Sequence, residues 1–298
     1  MVDITHKTFS LRNAVAEATV NVSLLSTIEA IQQNRVPKGN IFEFSRAAGL
    51  LAAKKTYEVI PDCHPLPVEQ ASIKHELSGQ SILIRVEVST IYKTGVEVEA
   101  MHAAAVTALT IYDMLKPIDP KVEIAGIRLL EKTGGKTDFV ASYPDDLKIA
   151  LVTVSNKVVA GEVDKPGDII EGKLKKLNLT SIERLVIGEQ KIEIEKTCRN
   201  LIAKSYDLIL LTGGSGLQLM DVTPDVVQRL IDREVPGIME AVRDYGRLRR
   251  PQALLGRGVA GFSGETLLIT LPGSPKGAKE SMDAVFPTIL HVFRSKKS

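Results

Sequence analysis

An aspartate and a lysine three positions apart, Asp113 and Lys116, close a largely apolar stretch, residues 99–116. At this spacing on a helix the two side chains face one volume, so a carboxylate and an ammonium group can exchange protons with one ligand. The same spacing makes an ion pair at a helix end, and spacing alone favours that simpler use. Further polar groups flank the stretch: Lys93, Glu97, Glu99, His102, Lys132 and Lys136. Such a set suits a polyanion. Lys54 and Lys55, at the polar end of an earlier helical segment, are either a solvated face or point charges for phosphate. Cys63 and His64 stand among Pro61, Pro65 and Pro67, which stiffen the loop that presents them. No neighbouring ligand completes a tetrahedral metal set.

A different chemistry is written in glycine. Thr212, Gly213, Gly214, Ser215 and Gly216 follow a continuous apolar run, and Pro272, Gly273 and Ser274 follow another. Both turns let backbone amides approach a phosphate, while Asp221 just beyond the first can hold Mg²⁺. Neither turn matches GxxxxGK[ST] or GxGxxG. Arg243, Arg247, Arg249 and Arg250 form a local basic cluster that suits either phosphate or solvent.

The elements that must position these groups differ between the halves. Residues 99–116 lack internal Gly and Pro and read as a helix. One stripe is Ala105, Leu109 and Tyr112, another Ala104, Ala108 and Ile111, so water is expected to see little of it. An earlier helix is expected after Ser23 or Ser26 as cap, with Leu24, Leu25, Ile28 and Ile31 apolar, and a second after Asn40, with Phe44, Ala48, Leu51 and Ala52. Period-two runs at 71–77, 81–90 and 121–132 are strands. Together these form an α+β domain whose antiparallel sheet is covered on one face by helices. From Leu147 the pattern is βα repetition, giving a three-layer α/β domain with a mostly parallel sheet; Thr223 is its expected helix cap before Pro224, and Cys198 falls among core positions. The expected division is 1–141, a linker at 142–146, and 147–298.

Composition narrows the class. A chain of 298 residues with 44% hydrophobic and 25% charged residues suits two globular domains. A net charge of +2 and 4% aromatics argue against nucleic-acid binding. Two cysteines, one in each half, imply reduced thiols and a cytoplasmic setting, and the start MVDITHKTFS has no apolar signal core. No run is long enough to span a membrane.

Several long motifs in the first half, MVDIT, FSRAAGLLAAKKT at 44–56, IPDCHPLP at 60–67, KTGVEVEAMHAAAVTALTIYDMLK at 93–116 and RLLEKTGGKTDF at 128–139, resemble the MoaC family of molybdenum-cofactor biosynthesis. That resemblance implies a ferredoxin-like fold and a hexamer built from dimers, with its site between subunits. It also implies conversion of (8S)-3′,8-cyclo-7,8-dihydroguanosine 5′-triphosphate to cyclic pyranopterin monophosphate and diphosphate, with no cofactor required. It assigns catalysis to Asp113, Lys116 and Lys54, and matches His64, Glu97, Glu99 and Lys136 to family site positions; with their neighbours Asp62, Cys63, Val98 and Lys132 these are the candidates for substrate binding. Asp62 stands where the family commonly has Leu, and Asn40 where it commonly has Asp.

The second half, through LTGGSGLQLMDVTPD, VPGIMEAVRDYG, RGVAG and LPGSPKGAKES, resembles the MoaB/MogA family. The resemblance implies a trimer-forming domain that binds molybdopterin or a related pterin and, in active members, Mg²⁺ and ATP for adenylyl transfer. Gly213, Gly214 and Gly216 correspond to its glycine turn, and Asp221 to the aspartate of its DVTP motif. Ile187-Gly188 replaces a Pro-Asp pair that active members usually carry. Either Glu189 or Asp168 compensates, or the half serves as a pterin-binding or assembly scaffold.

Overall fold

A computed structural model describes residues 1–135, 143–144 and 146–297. The chain divides into two compact units, Met1–Phe139 and Val140–Ser298. Of the expected linker, residues 142 and 145 lie outside the described residues, while the Tyr143 hydroxyl donates to the Leu177 carbonyl at 2.9 Å.

In the first unit the order is β1 (Ser10–Asn21), α1 (Leu25–Gln32), α2 (Ile41–Lys54), α3 (Thr56–Val59), β2 (Gln70–Ser78), β3 (Ser81–Tyr92), α4 (Glu97–Leu115) and β4 (Glu123–Thr133). The sheet order is β2-β3-β1-β4, antiparallel throughout. Ala14, Ala16, Ala18 and Val20 of β1 pair with Val88, Val86, Ile84 and Ile82 of β3, and all eight are buried on the face that α4 covers. Period-two alternation fixes this register, since a one-residue slip would turn every one of them to solvent.

The packing of α2 corrects the expected apolar face. Its buried side is Ile41, Ser45, Gly49, Ala52 and Ala53, leaving Phe44 and Leu51 61% and 56% exposed. Gly49 explains the choice: a Cβ there would lie 2.1 Å from Thr107 Oγ1 and 2.5 Å from Ile73 Cδ1, so the small-residue face goes inward. The expectation of a helix hidden on nearly every side also changes. Ala104, Ala108 and Ile111 are fully buried, but Leu109 is 57% exposed, and Val98 and Met101 are exposed as well. Neither Ser23 nor Ser26 caps α1. Asp119 instead accepts from the Ser23 and Leu24 amides, at 2.7 and 3.3 Å, and from the Ser23 hydroxyl. Burial would raise the Asp119 carboxyl, but these hydrogen bonds outweigh it and hold its pKa down.

The second unit contains β5 (Ile149–Val154), α5 (Asn156–Val159), α6 (Lys165–Lys175), β6 (Ile182–Ile187), α7 (Lys191–Ala203), β7 (Leu208–Thr212), α8 (Thr223–Leu230), β8 (Arg233–Glu234), α9 (Pro236–Arg247), β9 (Ala260–Ser263), β10 (Thr266–Leu271) and α10 (Pro275–Val285). The sheet order is β6-β5-β7-β10-β9-β8. Its first four strands are parallel; β9 and β8 add an antiparallel edge. Two apolar clusters, one on each face, complete a three-layer arrangement; Ile194, Cys198 and Leu201 of α7 lie in one of them. Val222, not Thr223, occupies the cap position of α8. Among the described residues no helix is long and apolar enough to cross a membrane.

Candidate active site

Helix α4 carries most of the first site, at its two ends. At the C-terminal end, Lys116 Nζ lies 2.9 Å from Asp113 Oδ1, as the i,i+3 spacing requires. Lys38, from the turn before α2, reaches Asp113 Oδ2 at 2.6 Å and the Asp113 carbonyl at 3.0 Å. The Lys38 hydrogen bond, then that of Lys116, holds the Asp113 carboxyl down at about 2, and the same pairing raises Lys116. Both members of the Asp113–Lys116 pair are about half exposed, so a ligand can reach them without unfolding anything.

Other groups gather at the N-terminal end. Glu99 is 3% exposed, and its Oε1 accepts from the Cys63 thiol at 3.2 Å. Burial raises the Glu99 carboxyl. Glu97 pairs with Lys132 at 3.6 Å, close enough to Gly95 that a Cβ there would strike its carboxylate. His64 Nε2 is 2.8 Å from the Val2 carbonyl, and Asp62 accepts from the Met1 amino group at 2.7 Å, which lowers the Asp62 carboxyl. Val98 presents its side chain to solvent. Helix α2 runs antiparallel to α4, since Lys38 meets Asp113 while Thr56 Oγ1 meets His102 Nδ1 at 3.1 Å; Lys54, ending α2, therefore falls at this N-terminal end. Gly134 and Gly135, with φ of 104° and 100°, turn the chain after β4, and a Cβ on Gly134 would sit 2.0 Å from the Leu11 carbonyl oxygen. Lys136 lies outside the described residues.

The ends are far apart. Asp113 lies fourteen positions along the helix from Glu99, about 21 Å along the axis at 1.5 Å per residue. Sequence reasoning missed Lys38 because nothing local distinguishes a lysine in a turn.

In the second unit, parallel pairing of Leu271 with Thr212 brings the two turns side by side. The Thr212 hydroxyl donates to the Pro272 carbonyl at 2.9 Å, and the Gly213 amide to the Leu271 carbonyl at 3.3 Å. Gly213 takes φ 104°, and a Cβ on Gly273 would lie 2.9 Å from Gly213 Cα, so a side chain at either position is excluded. Ser274 caps α10 through the Gly277 amide. Two cavities flank this crossing. One, about 880 Å³, is lined by Ser215, Gly216, Asp221, Arg243, Arg250 and Ser274, among others. The other, about 520 Å³, includes Ser155, Lys157, Lys165 and Glu189; Gly214 and Gly273 line both.

The basic cluster divides. Arg243 and Arg250 face the larger cavity, whereas Arg247 pairs with Asp244 and Arg249 stacks over Tyr245. Arg257, which spacing alone did not single out, donates to the Gly216 carbonyl at 2.9 Å and to the Asp221 carbonyl, and pairs with Asp225, bracing the glycine turn. Asp221 Oδ2 accepts from the Gln218 amide at 2.9 Å. Asp168 is committed to Arg184, which also holds Asp164 and Glu171. Glu189 is tied to Asn156 through its carboxylate and its amide. At Gly188 itself, Glu193 Oε2 accepts the backbone amide at 3.1 Å and lies 2.8 Å from where a Cβ would stand. Among the described residues no group of three or more His, Cys, Asp or Glu is arranged to hold a metal.

Residues 1–135 match the MoaC family model, and residues 150–291 match a model described as a probable molybdopterin binding domain. The chain is 34% identical over 294 residues to a molybdenum cofactor biosynthesis bifunctional protein of Chlorobaculum tepidum, covering 98% of this chain and 93% of that protein. A protein of the same description from Synechococcus elongatus is 34% identical over 98% of this chain and 95% of its own length. The first half alone is 44% identical over 138 residues to a cyclic pyranopterin monophosphate synthase of Listeria monocytogenes, 46% of this chain and 86% of that one. End-to-end coverage at this identity shows that the chain belongs to the family of bifunctional molybdenum cofactor biosynthesis proteins, with an enzymatic role, a MoaC half and a MoaB/MogA-like half.

Proposed function

We propose that the first unit converts the cyclised dihydroguanosine triphosphate to cyclic pyranopterin monophosphate and diphosphate. The observation that carries this is the Asp113 carboxylate held between Lys38 and Lys116. A triphosphate that loses diphosphate needs cations as its leaving group departs, and Lys54, Lys116 and Lys136 are candidates to supply them. With its pKa at about 2, Asp113 is a weak base in the free chain. Phosphate oxygens that draw Lys38 and Lys116 away strengthen it at the moment substrate is bound, and Lys116 then returns a proton. His64 and Glu99 orient the pterin and sugar portion. Mass analysis of the product from the cyclised triphosphate, with the full chain and its Lys116→Ala variant, tests this reading; near-normal turnover by the variant counts against it.

The site is completed by a second copy of the chain. No nucleotide-sized substrate touches both Glu99 and Asp113 of one helix about 21 Å apart along its axis. The exposed Leu109, Met101 and Val98 of α4, with Phe44 and Leu51 of α2, supply apolar surface for association, and a hexamer built from dimers is the expected assembly.

For the second unit the reading is pterin binding in the larger cavity, with Mg-ATP-dependent adenylylation of molybdopterin at the paired glycine turns. The Asp221 carboxylate beside a phosphate cradle fits Mg²⁺, which takes most of its ligands from phosphate and water. When bound, the ion would neutralise the phosphates; the chain itself contributes backbone amides and the Arg257 brace. Gly188 favours a rival reading, a pterin-binding scaffold, because Asp168 and Glu189 are already paired elsewhere. Incubation with ATP, Mg²⁺ and molybdopterin separates the two: Asp221-dependent adenylation removes the scaffold reading.

A further inference from the structure

Glu99 combines three features that the proton chemistry at Asp113 does not use. It lies in the first turn of α4 at 3% exposure, Oε1 takes a hydrogen bond from the Cys63 thiol, and Oε2 is buried without a hydrogen-bond partner among the described residues. Buried oxygens are normally paired, so an orphan at a substrate-binding position marks a place where a ligand group belongs. The thiol is held in its protonated form: burial first, then the hydrogen bond to Glu99 and the charges of Glu99 and Glu97, push Cys63 up to about 12. A cysteine in that state is a poor nucleophile and a fixed donor. Its loop is stiffened by Pro61 and Pro65, and the Cys63 amide is anchored on the Ile60 carbonyl at 3.0 Å.

We propose that Cys63 is a positioning residue: its thiol occupies Oε1 of Glu99 and leaves Oε2 as the oxygen that hydrogen-bonds the pterin portion of the substrate. The inference rests on the synthase reading of the first unit and adds to it how Glu99 is aimed. Without the thiol, the carboxyl rotates freely between its two oxygens, and the contact with substrate loses its preset geometry.

Two measurements on the full chain test this. In turnover of the cyclised triphosphate, Cys63→Ala is expected to lose about fivefold in kcat/KM, the scale of one hydrogen bond, while Cys63→Ser, which keeps a donor, recovers most of it. Equal activity of the alanine variant and the parent, or equal loss in alanine and serine variants of parental melting temperature, overturns the proposal. Independently, iodoacetamide alkylation of Cys63 at pH 8 is expected to speed up about tenfold in Glu99→Gln, because loss of the carboxylate lowers the thiol pKa; the buried Cys198 stays silent. An unchanged rate overturns the thiol–carboxyl coupling. A parent chain that fails to turn over the triphosphate defeats the synthase reading and with it the substrate contact, whereas the alkylation result still judges the pairing.

Discussion

Lys38 Nζ lies 2.6 Å from Asp113 Oδ2 although the two residues are 75 positions apart, and Lys116 holds the other oxygen at 2.9 Å. A carboxylate shared by two ammonium groups is ionised at any physiological pH, with its pKa down at about 2. The folded-state value lies below the unfolded one of about 3.9. The pairing therefore stabilises the fold above that unfolded value, and the contribution is lost as pH falls through about 2. Lys38→Met is expected to move the Asp113 carboxyl upward, read from its side-chain NMR resonance during an acid titration. An unmoved resonance would mean that Lys116 alone sets the value. Because the groups are exposed, the shift should shrink in high salt.

Glu99 carries the opposite sign. Burial raises its folded-state pKa above the ordinary 4.5, so its contribution is fully present below that value and is lost as pH rises through the folded one. Glu99→Gln, which removes the ionisation, is expected to melt a few degrees above the parent at pH 8 and level with it at pH 4. The same difference at both pH values would count against a buried, reluctant carboxylate.

The separation of the two ends of α4 gives a test of assembly. Asp113→Asn and Glu99→Gln chains, each impaired alone, are expected to recover about a quarter of parental turnover when unfolded together and refolded as mixed oligomers, because some sites then draw both intact residues from different copies. Recovery no greater than the sum of the separate variants contradicts a site shared between copies.

Glycine at 213 has two independent reasons to be glycine: φ of 104°, and a Cβ position 2.2 Å from the Val154 carbonyl oxygen. Gly213→Ala is expected to cost about 2–4 kcal/mol in urea denaturation, from backbone strain together with a clash against backbone. Gly172, exposed on α6 with nothing near its Cβ position, is the contrast: Gly172→Ala is expected to stabilise by about 0.5–1 kcal/mol.

What the sequence discloses follows the range of the interaction. The Asp113–Lys116 pair is an i,i+3 relation on one helix, and the two glycine turns follow strands whose apolar runs are unbroken, so both are legible without coordinates. Parallel pairing of β7 with β10 then sets those turns together, as βα repetition implies. Contacts that cross the fold are hidden. Lys38 meets Asp113 from a turn, Asp119 anchors the chain entering α1 through the Ser23 and Leu24 amides, and Glu193 reaches Gly188 from the next helix. Cys63 and Glu99 each stand out as polar groups in constrained surroundings, but only the fold joins them. The exposed Phe44, Leu51 and Leu109 show a further limit: periodicity identifies an apolar face without saying whether the same chain or another covers it.

The central claim, that Asp113 performs proton chemistry on a cyclised triphosphate, is tested most directly by diphosphate release from that substrate with the full chain and its Asp113→Asn variant. The amide keeps the shape and removes the base, so the parent is expected to release diphosphate and the variant to fall by about 10²-fold or more. Release by Asp113→Asn within a fewfold of the parent would contradict the claim.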